Sequence, residues 1–349
     1  MLAEARGALI VNSIAASSLS TYASSFKHWR LWRVARSLPL FLVGDDLKSD
    51  QAELVSFVAY MGVTWNYGHG TVHVMIFAVR FHHLAAGHGD PLQNTPLLKL
   101  SLKGLKRMQG GPRRKISASM DLIRDIIRRL DLEDWDDLML ALALVVMFLF
   151  LLRSREALRK GAFPDPEQCL RVRSVMVATD GEIVTGADVE GADEMIVMFG
   201  KHKGDQSGQG SVHNVFASAD EICPLKLYKR AARMNPAHFA KPGRFFFTLK
   251  SGKVLHRDKV EGGLRAVAVE RGLPPKALAP ISLRSGGASA MWNEGFSTDE
   301  IKRRGRWLSD CWRLYVWEGR ERARNVGARM LSSSFSLLAS LARFARDEA

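Results

Sequence analysis

Apolar positions recur every three or four residues along most of the chain, the pattern of helices with one buried face. It begins near Ser20 with Tyr22, Phe26, Trp29 and Arg33, and Pro39 closes it. Asp50 is placed to cap a second helix, with Leu54, Phe57, Val58 and Met61 on one side. Gly68 to Gly70 reads as a turn. Thr71 then caps a third helix through Val72, Met75, Val79 and His83, which Gly87 and Gly89 stop. A fourth runs from Leu97 to Met108. After a Gly/Pro break the helical period resumes at Ser119, with Leu122, Ile123, Ile126, Ile127 and Leu130 on one face. Asp136 and Asp137 precede a run from Leu138 to Leu152 that is apolar on every side. Such a helix lies at the centre of a domain, and it falls short of the roughly 20 residues of a membrane span.

Between residues 171 and 216 the period changes from helical to alternating. Val172 to Ala178, Met195 to Phe199 and Val212 to Phe216 read as short strands, with Thr179-Asp180-Gly181 as a turn. Helices return from Cys223-Pro224 to about Met234 and from His256 to Arg271, around a strand-like run at 244–249. The stretch from Pro280 to Trp317 parses into three short helices. Ser282 is expected as the N-cap of the first and Gly295 as its stop. Ser297 with Glu300 forms a capping box for the second, which Gly305 ends. Ser309 or Asp310 caps the third, with Tyr315 in its first two turns. Phe335, Leu338, Leu341 and Phe344 mark a last amphipathic helix. The expected organisation is a poorly ordered lead-in (1–18), a helical domain (19–109), a basic linker (110–116), a second domain (117–325) and a tail (326–349). The fold class is mainly α (α+β).

The chain has 349 residues and a formal charge of +14, which points to a polyanionic partner. No basic amphipathic anchor or lipidation signal favours a membrane surface, so nucleic acid is expected. Three cysteines, far apart, form no zinc pattern and read as reduced thiols. With no secretory h-region at the start, the expected location is intracellular: the nucleus in a eukaryote, the cytoplasm or nucleoid in a bacterium. His69 and His73 have i,i+4 spacing but no companion Glu or Cys pattern, and no metal site is expected.

Several positions carry chemistry. Lys99, Lys103, Lys106 and Arg107 share one helical face, and Arg113, Arg114 and Lys115 lie in the linker. Both sets are candidate DNA-phosphate contacts; a solvated basic surface is the alternative. Arg153 emerges directly from the apolar run and needs a partner, either Glu156 or a phosphate. Arg284 sits in a helix first turn, where the helix's own partial charge already favours an anion. Gly286 and Gly287 follow. Together they suit an oxyanion, or else an ordinary ion pair with glycines that let helices pack. The loop G-K-H-K-G-D-Q-S-G-Q-G, beginning at Gly200, lacks both the Walker spacing and a following helix.

Taken in order over residues 18 to 320, R-x-x-E after a buried helix, a hairpin Lys, x-x-x-R-x-G-G, G-R-W and Tyr resemble the tyrosine recombinase (phage integrase) family. The resemblance implies a SAM-like, helical core-binding domain followed by a mostly helical catalytic domain with a small antiparallel sheet or hairpin. It places Arg153 and Arg284 as the two catalytic arginines, Arg155 suiting the first position less well. It makes Lys203 the general acid, with Lys201 the runner-up, Trp307 the occupant of the family's His/Trp position, and Tyr315 the nucleophile. Isoleucine, Ile281, stands where the family has histidine. The implied activity is site-specific DNA cleavage and rejoining, of mobile-element type, through a 3′-phosphotyrosine. No ATP, metal or other cofactor is required. The implied partners are double-stranded DNA and further copies of the chain, as a dimer or tetramer.

The chemistry explains the residue types. A phosphodiester repels nucleophiles until its charge is neutralised, and forked guanidiniums match its oxygens better than ammonium groups do. Tyrosine ionises near pH 10, so the attacking phenol needs such a setting. Two alternatives stay open: a DNA-binding protein derived from such a recombinase and impaired by Ile281, and a type IB topoisomerase.

Overall fold

The computed structural model describes residues 2–42, 44, 46–111, 114–200 and 209–332. The chain divides into two compact units, Met1–Arg113 and Arg114–Ala349.

The first unit is helical: α1 (Leu2–Val11), α2 (Ala16–Ala35), α3 (Leu47–Ala59), α4 (His69–Ala85) and α5 (Pro96–Gln109). Where an irregular lead-in was expected, α1 forms instead, with Leu9, Ile10 and Val11 exposed. Asp46, rather than Asp50, caps α3, accepting from the Lys48 and Ser49 amides. A π-helical turn (Tyr60–Thr64) follows α3, and Leu105 of α5 packs over its Gly62. Gly70 does not break the chain, because α4 starts before it; this puts His69 and His73 on one helix, with ring centroids 5.8 Å apart. Among the described residues no group of three or more metal-ligating side chains converges. Trp29, Leu54, Phe57, Met75 and Val79 form the core. Within it His83 is fully buried. Its Nδ1 donates to the Val79 carbonyl at 2.7 Å and its Nε2 accepts from the Leu42 amide at 2.9 Å, which fixes the neutral ring. Burial pushes its pKa down.

The second unit is built around α7 (Trp135–Leu149), which is buried along almost its whole length, as an all-apolar helix must be. Asp134 caps it, accepting from the Asp136 and Asp137 amides at 2.8 and 3.2 Å. Helices α6 (Met120–Ile127), α9 (Pro224–Met234), α11 (Arg257–Glu270) and α12 (Ile281–Asn293) pack on α7. The short α8 (Ser154–Ala157) follows α7, and α10 (Pro236–Phe239) follows α9. One antiparallel sheet, in the order β2-β1-β3-β4, comprises β1 (Val175–Thr179), β2 (Glu182–Val184), β3 (Glu194–Phe199) and β4 (Ser211–Phe216). Asp180 and Gly181 both have positive φ (51° and 85°), the turn a two-residue hairpin requires, and that turn delivers the β2 strand the alternation did not reveal. The run at 244–249 forms only isolated bridges, Arg171 to Phe245 and Thr248 to Val254. The chain ends its described part with α13 (Thr298–Gly305), a 3₁₀ turn (Asp310–Leu314) and α14 (Arg320–Leu331). The architecture is mainly α with one small antiparallel sheet, as expected. Among the described residues no helix is long and apolar enough to cross a membrane. The amphipathic pattern from Phe335 to Phe344 lies outside them.

Candidate active site

The site forms at the C-terminal end of α7. Unsatisfied carbonyls and the partial negative charge of a helix end attract cations there. Three arginines come from distant sequence to meet them. Arg304 donates to the Leu149 carbonyl at 3.0 Å and to the Asn214 carbonyl at 2.9 Å. Arg284 donates to the carbonyls of Leu151 and, at 2.6 Å, of Gly305. Arg306 also donates to Leu151, at 3.3 Å. The chain turns sharply here, with Leu151 in the left-handed region (φ 49°).

Arg153 is the N-cap of α8, and its ion pair with Glu156 is the partner its position demanded. The Glu156 carboxylate accepts from the Arg153 guanidinium at 3.0 Å, from the Arg153 amide at 2.8 Å, and from Arg306 at 2.8 Å. Two guanidiniums, those of Arg153 and Arg306, thus share one carboxylate, and Arg284 lies close enough to feel the charge of all three groups. Burial, then repulsion from Arg153 and Arg306, brings the Arg284 pKa down to about 9; burial brings Arg306 and Arg304 to about 10. All three stay protonated at pH 7, leaving the cluster with excess positive charge.

Rings cover Arg284, which is 1% exposed. Its guanidinium carbon lies 4.4 Å from the Trp307 ring centroid and 5.5 Å from that of Tyr315, and the two rings are 5.1 Å apart. Trp307 itself packs against Gly305, where a side chain would overlap the indole. Tyr315 directly follows the 3₁₀ turn that Ser309 caps, and is half-buried. Hydrogen bonds secure the chain beyond it: Ser289 accepts from the Trp317 amide at 3.0 Å, and Asn293 bonds the Trp317 carbonyl and the Gly319 amide at 3.1 and 2.7 Å. Arg114 donates to the Leu314 carbonyl and stacks on Trp317 at 4.7 Å, one contact on each side of the tyrosine.

Of their two readings the glycines take the packing one, and Ser282 plays another part than expected. A methyl on Gly286 would overlap the Ala118 carbonyl, and one on Gly287 the Phe148 carbonyl. These glycines therefore bring α12 against the chain at Ala118 and against α7, and their free space is filled by protein. Ser282 is not the N-cap. It lies inside α12, fully buried, and accepts from the Ala279 amide at 3.1 Å, while Pro280 occupies the cap. The capping box of Ser297 and Glu300 forms as expected. Ile281, one helical turn before Arg284, is 37% exposed.

Of the residues singled out from sequence, Arg153, Arg284, Trp307 and Tyr315 are brought together here. Lys203 and Lys201 lie outside the described residues, in the segment between β3 and β4, and Arg113 is also outside them. Lys99, Lys103, Lys106 and Arg107 are exposed along α5. Lys115 reaches the Lys276 carbonyl. Sequence reasoning missed Arg306 and Arg304. The one signal was the cation density of K-R-R-G-R before Trp307.

This arrangement of α7, the sheet and α12–α13 is a fold that tyrosine recombinases and integrases also have. The chain is similar in structure to the XerH site-specific recombinase bound to palindromic difH substrate, with 14% identity over 90% of this chain and 80% of that one and a TM-score of 0.56. It is similar also to a lambda integrase dimer bound to a core site (14%, 91% and 77%, TM-score 0.51) and to the Tn1549 transposon integrase in complex with transposon right end DNA (14%, 90% and 99%, TM-score 0.51). At such identities the likeness is one of fold. No protein-family model matches the chain, and no curated protein matches it in sequence.

Proposed function

We propose that this protein is a site-specific DNA recombinase or integrase that breaks and rejoins strands through a covalent 3′-phosphotyrosine. The observation that carries this reading is the placement of Tyr315 and Trp307 over Arg284, in one cluster with Arg153. Guanidiniums in excess of carboxylate suit a site that receives an anion. The Tyr315 oxygen attacks phosphorus, the new Tyr–O–P bond forms, and the bond to the 5′ oxygen breaks. The leaving 5′ oxygen takes a proton, the role assigned to Lys203. Ile281 offers no acceptor for the phenolic proton, so that proton passes to water. Attack by a 5′ hydroxyl on the phosphotyrosine reverses the sequence and rejoins the strand. Bond energy is conserved in the phosphotyrosine, so no nucleotide is consumed. Arg284 is covered by the two rings, and they must swing aside for a phosphate to touch it. The exposed cations of α5 and the linker are assigned to DNA phosphates, and the working assembly to a dimer or tetramer on DNA.

A second reading, a DNA-binding protein that no longer cleaves, is favoured by Ile281 and by the burial of Arg284. One experiment separates the two: incubation with a pool of nicked duplexes of randomised sequence, then a denaturing gel, with Tyr315→Phe alongside. A covalent adduct absent from the variant is expected. Salt-sensitive binding without an adduct supports the second reading, and no DNA binding at all rejects both.

A further inference from the structure

We propose that Arg306 positions Arg153 for an oxyanion, acting through Glu156. The inference rests on the reading that this site receives phosphate. Glu156 is 2% exposed and both its oxygens are engaged. One holds the Arg153 guanidinium; the other takes Arg306 together with the Arg153 amide. A carboxylate held at both oxygens cannot rotate, so the guanidinium it orients is fixed as well.

Arg306 occupies this place at a cost. It caps α13 in the left-handed region, with φ 54° and ψ 47°, where glycine or asparagine is at ease and a long side chain is strained. Stopping α13 does not call for an arginine. Strain of this kind persists where the surroundings over-determine the residue, and it marks functional sites. The second strained residue, Leu151, offers the carbonyl that both Arg306 and Arg284 share. Two acceptors, Leu151 O and Glu156, therefore link all three guanidiniums. Phe199, the last residue of β3, lies 3.6 Å from the Arg306 guanidinium carbon and holds its plane. The Nε and Nη1 donors of Arg306 and the Nε of Arg284 are buried, with no hydrogen-bond partner among the described residues. Both bonds leave from one nitrogen, Nη2, while the guanidinium plane stacks on Phe199; a lysine ammonium has no plane to be held in this way.

The test is isothermal titration of the full chain with inorganic phosphate at fixed ionic strength, with urea unfolding of each variant in parallel. R153K, R306K and the double variant complete a cycle. R306K is expected to weaken phosphate binding about tenfold, the scale of a lost charged hydrogen bond. R153K is expected to do the same, and the double variant to bind no more weakly than R153K alone. Should R306K fail to fold, R306M/E156M removes the buried pair together and takes its place in the cycle. The proposal is overturned if Arg306 variants lower stability while phosphate affinity stays unchanged, or if the two losses add. If R153K and R284K titrate like the parent, the phosphate reading of the site fails, and this inference with it.

Discussion

Replacing Gly287 by alanine tests how the site is held together. In the middle of an ordinary helix this change stabilises by about 0.5–1 kcal/mol, because glycine is the poorer helix former. Here the new methyl would overlap the Phe148 carbonyl oxygen and the Leu151 side chain, with the Phe148 carbonyl carbon at 3.1 Å. The Phe148 carbonyl, in the last turn of α7, is backbone and accepts from the Leu151 amide, so it yields less readily than the end of a side chain and α12 has to shift. Overpacking of this kind costs about 1–3 kcal/mol, and the upper end applies where the obstacle is backbone. Net of the propensity gain, the expected loss is about 2 kcal/mol. For a unit this size that corresponds to a fall of about 4–8 °C in Tm. Gly262, within α11, has nothing within 4 Å of the same added atom. Gly262→Ala should therefore stabilise by about 0.5–1 kcal/mol. Thermal and urea unfolding of the two variants beside the parent give the answer. If Gly287→Ala is as stable as the parent, the close approach of α12 and α7 is not what places Arg284, and the packing argument is refuted.

Two further outcomes follow from the same geometry. His83 is neutral in the fold and its pKa is lowered by burial, so the unfolded chain binds the proton first. Stability of the first unit is therefore complete above about pH 6.5 and declines as pH falls below it. His83→Gln should flatten that decline in an acid titration followed by circular dichroism, and an unchanged slope would remove His83 as its source. On the proposed cleavage reading, Ile281→His supplies a proton acceptor one turn before Arg284 and should raise the rate of adduct formation by about 10² or more; an unchanged rate would show that this position does not limit the reaction.

Local physics made much of the molecule legible in its sequence. The helix start at Ser119, the caps at Ser297 and Ser309, the Asp180-Gly181 turn and the all-apolar run of α7 depend on residues within a few positions of one another. The exit of Arg153 from α7, and its ion pair with Glu156 three residues on, belong to the same class. Such features are set by the chain's own dihedrals and near-neighbour hydrogen bonds, which a sequence records directly.

What the tertiary structure alone decided involves groups far apart in the chain. Gly286 and Gly287 read equally well as anion-binding or packing residues, and only the positions of Ala118 and Phe148 settle them as packing. Ser282 has the chemistry of a cap, yet the approach of residues 116–118 buries it inside α12. Arg306 shows no local signal of its task. Its partner Glu156 is 150 residues away, its left-handed backbone is imposed by the turn after α13, and Leu151 joins it to Arg284. The sequence therefore determined the helices, their order and which charged and aromatic residues were candidates for a site. Packing decided which of those charges share a carboxylate, because burial and long-range hydrogen bonding exist only once the helices have come together.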